Sequence, residues 1–157
     1  MRSLFLIALA TPLFASAAIA QMQSLTPKDT FAAAKLSPKE VHEIEQGVEL
    51  SAFDTPDSWT RELRVRRIDL GAAPGLLVQG SSLLCGGTGN CQMWVFRKLN
   101  GRWLSLFGTQ EAPLAESFQL GPGISNGVKN LTIVANTSAE AGKRVTYKFD
   151  GKLYRAN

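Results

Sequence analysis

Gln92-Met93-Trp94-Val95-Phe96-Arg97-Lys98-Leu99-Asn100-Gly101-Arg102-Trp103-Leu104-Ser105-Leu106-Phe107-Gly108 decides how the rest of the chain is read. Asn100-Gly101 suits the two positive φ angles of a type I′ turn, so Gln92–Leu99 and Arg102–Gly108 form a β-hairpin. Alternation puts Met93, Val95, Leu104 and Leu106 on one face. Trp94, Phe96, Trp103 and Phe107 then take the other. A strand pair that is apolar on both faces is expected to be central and covered on both sides. The alternative is an aromatic surface left open for a partner, with Arg97 and Arg102 beside it. On that alternative Trp94, Arg97, Arg102 and Trp103 are the candidate binding surface.

Outward from the hairpin the strand pattern continues. Gly75 to Leu84 is an apolar strand. Before it, Leu63 and Val65 alternate with Arg64 and Arg66, and Ile68 and Leu70 then continue on the other parity. A β-bulge near Arg66-Arg67 would account for the slip. Ser117–Leu120 and Asn130–Asn136 supply two further strands, with Gly121-Pro122-Gly123 as a break after the first. Asp150-Gly151 divides Arg144–Phe149 from Lys152–Arg155. A two-residue turn there pairs Phe149 with Lys152 and Tyr147 with Tyr154. Val145, Tyr147, Phe149 and Tyr154 then share a face.

The N-terminal part reads as helical. Thr26-Pro27-Lys28-Asp29 and Ser37-Pro38-Lys39-Glu40 share a pattern of N-cap hydroxyl, proline at the first helical position and acid at the third. The second is a full capping box. Two short helices are expected, near 27–35 and 38–49, with Val41, Ile44 and Val48 as the apolar stripe of the second. The fold class is therefore α+β: two short N-terminal helices packed on an antiparallel sheet of about six or seven strands. A small β-barrel or sandwich with peripheral helices is the alternative.

Residues 1–20 have the parts of a cleavable export signal: Arg2, an apolar run from Leu4 to Phe14, and the small-residue site Ala18-Ile19-Ala20. Cleavage before Gln21 leaves 21–157 as a single globular domain, periplasmic or secreted. The apolar run is shorter than the ~20 residues that cross a bilayer, and no later segment reaches that length. The full chain carries 17 Lys and Arg against 13 Asp and Glu. Loss of Arg2 leaves a net charge of +3, a mild bias towards anionic partners. Nucleic acid is not expected, since no strong basic patch or recognition motif is present. Cys85 and Cys91, six positions apart across glycines, are expected to form a disulfide in an oxidising compartment.

Catalytic chemistry finds little support. His42 is the only histidine and reads as a surface helix residue. Glu40, Glu43, Glu45 and Glu49, with Asp54 and Asp57 after them, read as a solvated acidic face rather than an acid–base pair. The glycine loop between the cysteines lacks a phosphate-loop lysine and following helix, and zinc-ligand spacing is absent. No catalytic, cofactor or metal residues are expected. Arg61, Arg64, Arg66 and Arg67 form one basic run; Arg97, Lys98 and Arg102 form another.

The stretch Cys85-Gly86-Gly87-Thr88-Gly89-Asn90-Cys91-Gln92-Met93-Trp94-Val95-Phe96-Arg97, with Gly101 and the later Tyr147-Lys148-Phe149-Asp150-Gly151-Lys152-Leu153-Tyr154, resembles a group of small exported bacterial proteins. They share a C-G-x-x-G-N-C-x-x-W-V-F-R stretch and a closing F-D-G-x-x-Y. The resemblance covers roughly 76–155 and implies a bacterial periplasmic or secreted protein without catalytic residues. The expected function is a non-enzymatic binding protein of the cell envelope, of the inhibitor or immunity kind, whose partner is an envelope protein or an anionic envelope polymer. A hydrolase of envelope polymers and a structural envelope component are the alternatives.

Overall fold

The computed structural model describes residues 22–48, 60–108, 112–137 and 142–157. The export signal and its cleavage point, and Glu49, Asp54 and Asp57 of the acidic group, lie outside these residues. In chain order the elements are α1 Pro38–Gly47, β1 Leu63–Asp69, β2 Pro74–Gly80, a 3₁₀ turn at Ser82–Leu84, β3 Cys91–Leu99, β4 Arg102–Ser105, β5 Leu114–Ala115, β6 Ser117–Ser125, β7 Val128–Ala135, β8 Lys143–Phe149 and β9 Tyr154–Ala156. They form two antiparallel sheets rather than one sheet of six or seven strands. A five-stranded sheet runs β1-β2-β3-β4 with β5 paired to β3, and a four-stranded sheet runs β6-β7-β8-β9. The protein is thus mostly β, an open sandwich with α1 on one outer face.

Two apolar clusters hold the layers. One joins α1 to the five-stranded sheet and contains Ile44, Val48, Val65, Val78, Trp94, Phe96 and Trp103. The other lies between the sheets and contains Leu77, Met93, Val95, Phe118, Leu131, Ile133, Phe149 and Tyr154. The β3–β4 hairpin is therefore covered on both faces along most of its length, while Leu99 and Leu104 near its turn stay exposed. Trp94 and Trp103 are only 5 % and 3 % exposed. Asn100 and Gly101 take φ of 50° and 77°, as a type I′ turn needs. Phe107 departs from the alternation: β4 ends at Ser105, and both Leu106 and Phe107 enter the inter-sheet core.

The same double cover explains β1. Its register with β2 runs from Leu63↔Gly80 to Asp69↔Pro74 without a shift, so there is no bulge at Arg66-Arg67. Leu63 and Val65 pack towards α1, whereas Ile68 and the following Leu70 pack towards the second sheet. The change of parity marks the point where burial passes from one face to the other. Arg67, on the α1 side by alternation, donates to the carbonyls of Ala34 and Lys35 at 2.7 and 3.3 Å.

No helix forms over 27–35. The segment is a series of turns, with Lys35 at φ 52°. Its capping chemistry is present: Asp29 accepts from the Thr26 N–H and hydroxyl at 2.7 and 3.0 Å. The backbone is nevertheless drawn out to the sheet edges. Gln23 and Phe118 exchange backbone hydrogen bonds of 2.7 and 2.8 Å, and Val65 N–H donates to the Asp29 carbonyl at 2.9 Å. Arg66 pins this strap through a bidentate pair to Asp29 at 2.8 and 2.7 Å. Covering the edges of β1 and β6 in this way removes pairing templates for other chains.

α1 follows the sequence more closely. Its capping box is complete: Glu40 N–H donates to Ser37 Oγ at 3.3 Å, and Ser37 N–H donates to Glu40 Oε2 at 2.9 Å. It stops at Gly47 rather than 49. A Cβ on Gly47 would sit 2.5 Å from the ring of Phe96, so this glycine permits close approach of helix and sheet. The acids of α1 are not all solvated. Glu40 and Glu43, one turn apart, turn towards the hairpin. Glu40 accepts from Lys98 Nζ at 2.8 Å and Trp103 Nε1 at 3.1 Å, and Glu43 accepts from the Trp103 backbone N–H at 3.0 Å. These bonds close the outer side of β4.

Candidate binding site

β3 carries the inward row Met93, Val95, Arg97 and Leu99, which faces the second sheet. The first two are fully buried. Arg97 lies beside Phe149, the last residue of β8. Its cross-strand partner is Leu104. Its guanidinium carbon stands 5.8 Å from the centroid of the Phe149 ring. Arg97 Nε is buried without a hydrogen-bond partner, and the side chain makes no hydrogen bond or ion pair with any described residue. Its neighbour Lys98 points the opposite way and is paired with Glu40.

Around Arg97 is a groove of about 490 Å³. It passes along β4, from the end of α1 at Gln46-Gly47 to the β8–β9 loop at Gly151–Leu153. Leu99, Leu104 and Leu106 make its floor apolar, Lys152 adds a second cation, and no acidic side chain is among its described lining residues. Leu99 and Leu104 are 48 % and 44 % exposed. The β8–β9 loop has its shape from Asp150, whose carboxylate accepts from the N–H groups of Lys152 and Leu153 at 2.8 and 2.7 Å. These bonds hold that carboxyl well below its ordinary range, at about 2. The loop is longer than the two-residue turn expected there, and Phe149 pairs with Tyr154 instead of Lys152. This places Leu153 over Gly108, whose Cβ, if present, would lie 3.2 Å from the leucine side chain.

The four residues of the candidate surface therefore separate. Trp94 and Trp103 are in the α1 core, Arg102 is exposed at the turn, and Arg97 lines the groove. Phe149, Leu104, Lys152 and Leu153 join Arg97 from other elements, a convergence that no local pattern announces. One signal was available: an arginine in the row Met93-Val95-Arg97-Leu99 stands where alternation calls for an apolar residue.

The Cys85–Cys91 disulfide is present and lies at the other end of β3. Asn90 anchors its loop from inside. The amide donates to Thr88 Oγ1 at 2.8 Å and to the Asn136 carbonyl, and its oxygen accepts from Asn136 N–H at 2.8 Å. A disulfide of this kind accords with an oxidising compartment. His42 is on the solvent side of α1, 3.1 Å from the Gln46 amide and 3.9 Å from Glu45. Among the described residues no three His, Cys, Asp or Glu side chains converge as metal ligands would. No described helix is long and apolar enough to cross a membrane. No family model, curated protein or solved structure matches the chain.

Proposed function

We propose that the chain is an exported, non-enzymatic binding protein of the bacterial cell envelope, and that it takes an anionic envelope component in the Arg97 groove. The observation that carries this reading is Arg97, whose buried Nε has no hydrogen-bond partner, in an apolar groove with no acid among its described lining residues. A part-buried cation is normally matched by a carboxylate or a hydrogen-bond acceptor, because desolvation without one is costly. Among the described residues the Phe149 ring face offers it complementary charge, 5.8 Å from the guanidinium carbon. The signal-like N-terminus, the resemblance to small exported bacterial proteins and the disulfide support the compartment. The groove is formed by a hairpin locked between two cores, a rigid setting suited to recognition.

Capture from envelope extract tests the reading. Immobilised protein is expected to retain an anionic component that salt releases. Leu104→Glu, at an exposed groove position opposite Arg97, is expected to retain none of it. Equal retention by both, or turnover of the retained material by the protein, would overturn it.

A further inference from the structure

We propose that the Arg97 groove binds a small amphipathic carboxylate, a single carboxylate on a medium-length apolar chain; this rests on the binding reading above. The groove offers two chemistries side by side. Arg97 supplies a guanidinium whose Nε has no hydrogen-bond partner, and a guanidinium is the group that best matches a planar carboxylate through paired N–H donors. Leu99, Leu104 and Leu106 supply an apolar floor. At about 490 Å³ the space is within the ~300–1,000 Å³ usual for small-molecule pockets.

An extended peptide fits less well. It would dock by adding a strand to β4, and the outward N–H of Trp103 on that strand already donates to Glu43. A polyanion would call for a broad basic field, whereas the groove joins one part-buried arginine and one exposed lysine to leucines. The carboxylate would sit on Arg97, with Lys152 near the mouth, and the chain would cover Leu99 and Leu104. Those two leucines are the exposed large apolar side chains of this part of the molecule.

Titration calorimetry of the mature protein with decanoate, 1-decanol and acetate is the test. Decanoate should bind saturably at one site. Decanol should bind about tenfold more weakly or worse, for want of the charge, and acetate not measurably, for want of the chain. Arg97→Met should reduce decanoate to the level of decanol, and Leu104→Glu should abolish binding while leaving the circular dichroism unchanged. No saturable decanoate binding, or equal binding of decanol or by Arg97→Met, would overturn the assignment. Leu104-dependent capture from envelope extract without decanoate binding would overturn the carboxylate chemistry alone. Failure of both would overturn the binding reading as well.

Discussion

The buried carboxylate of Glu43 on α1 accepts the backbone N–H of Trp103 on β4 at 3.0 Å, so a helix side chain satisfies the edge strand of the central sheet. Removing that acceptor leaves a buried donor without a partner, which costs about 1–3 kcal/mol in addition to lost packing. Glu43→Ala is therefore expected to lower unfolding free energy by about 2–3 kcal/mol. Glu43→Gln retains an acceptor and should lose less than half as much. Urea denaturation of the two variants measures both.

Acid should loosen two other carboxylate contacts, those of Glu40 and Asp29. Lys98, the Ser37 N–H and Trp103 Nε1 hold Glu40 at about 2, below its ordinary 4.5. Arg66 and Thr26 hold Asp29 at about 2, below 3.8. Both folded values lie below the unfolded ones, so their stabilisation is complete above the unfolded values and is lost as pH falls through the folded ones. Stability should fall between pH 4.5 and about 2, and Glu40→Gln should have a shallower fall across that window. Thermal melts at several pH values give the slopes.

Gly47→Ala sets helix propensity against space. Alanine is the better helix former by about 1 kcal/mol. Its Cβ would, however, meet the fully buried Phe96 ring at 2.5 Å. Overpacking of about 1–3 kcal/mol should win, and the variant should melt below wild type. A higher melting temperature would mean that the contact relaxes freely.

Reduction of Cys85–Cys91 should act locally. The closed loop is short, so the loss is about 2 kcal/mol on the loop-entropy model. The Asn90–Asn136 bonds still hold the loop, and both tryptophans of the hairpin are inside the α1 core. Arg97 lies six residues further along β3, roughly 20 Å at the usual rise. Hydrogen exchange should therefore increase at 85–91, with protection at Trp94 and Trp103 and ligand binding at Arg97 unchanged.

What the sequence discloses follows from how local each device is. The Ser37–Glu40 capping box and the Asn100-Gly101 turn involve adjacent residues, and both form as read. Asn126-Gly127 is the same turn signal, with φ of 46° and 78° between β6 and β7. Gly121-Pro122-Gly123, just before it, reads in sequence as a break after Leu120. β6 passes through that glycine-proline stretch with a register shift between Leu120 and Ile124. The missing 27–35 helix has a long-range cause: Arg66 and the edges of β1 and β6 hold the strap against the sheets, and 27–35 closes into turns instead. The division into two sheets was legible only in part, through the two apolar faces of the hairpin and the parity change of β1. The groove was least legible, because Arg97, Leu104, Phe149 and Lys152 come from separate elements and meet only in the fold.

The most direct test follows the Arg97 Nε–Hε resonance in a nitrogen–proton NMR spectrum while decanoate is added to the mature protein. Occupation of the groove should shift that signal and slow its exchange with water, saturating at one equivalent, with Leu99 and Leu104 amides moving in parallel. An unmoved Arg97 signal at saturating decanoate, or shifts confined to other surfaces, would contradict the assignment of this groove as the binding site.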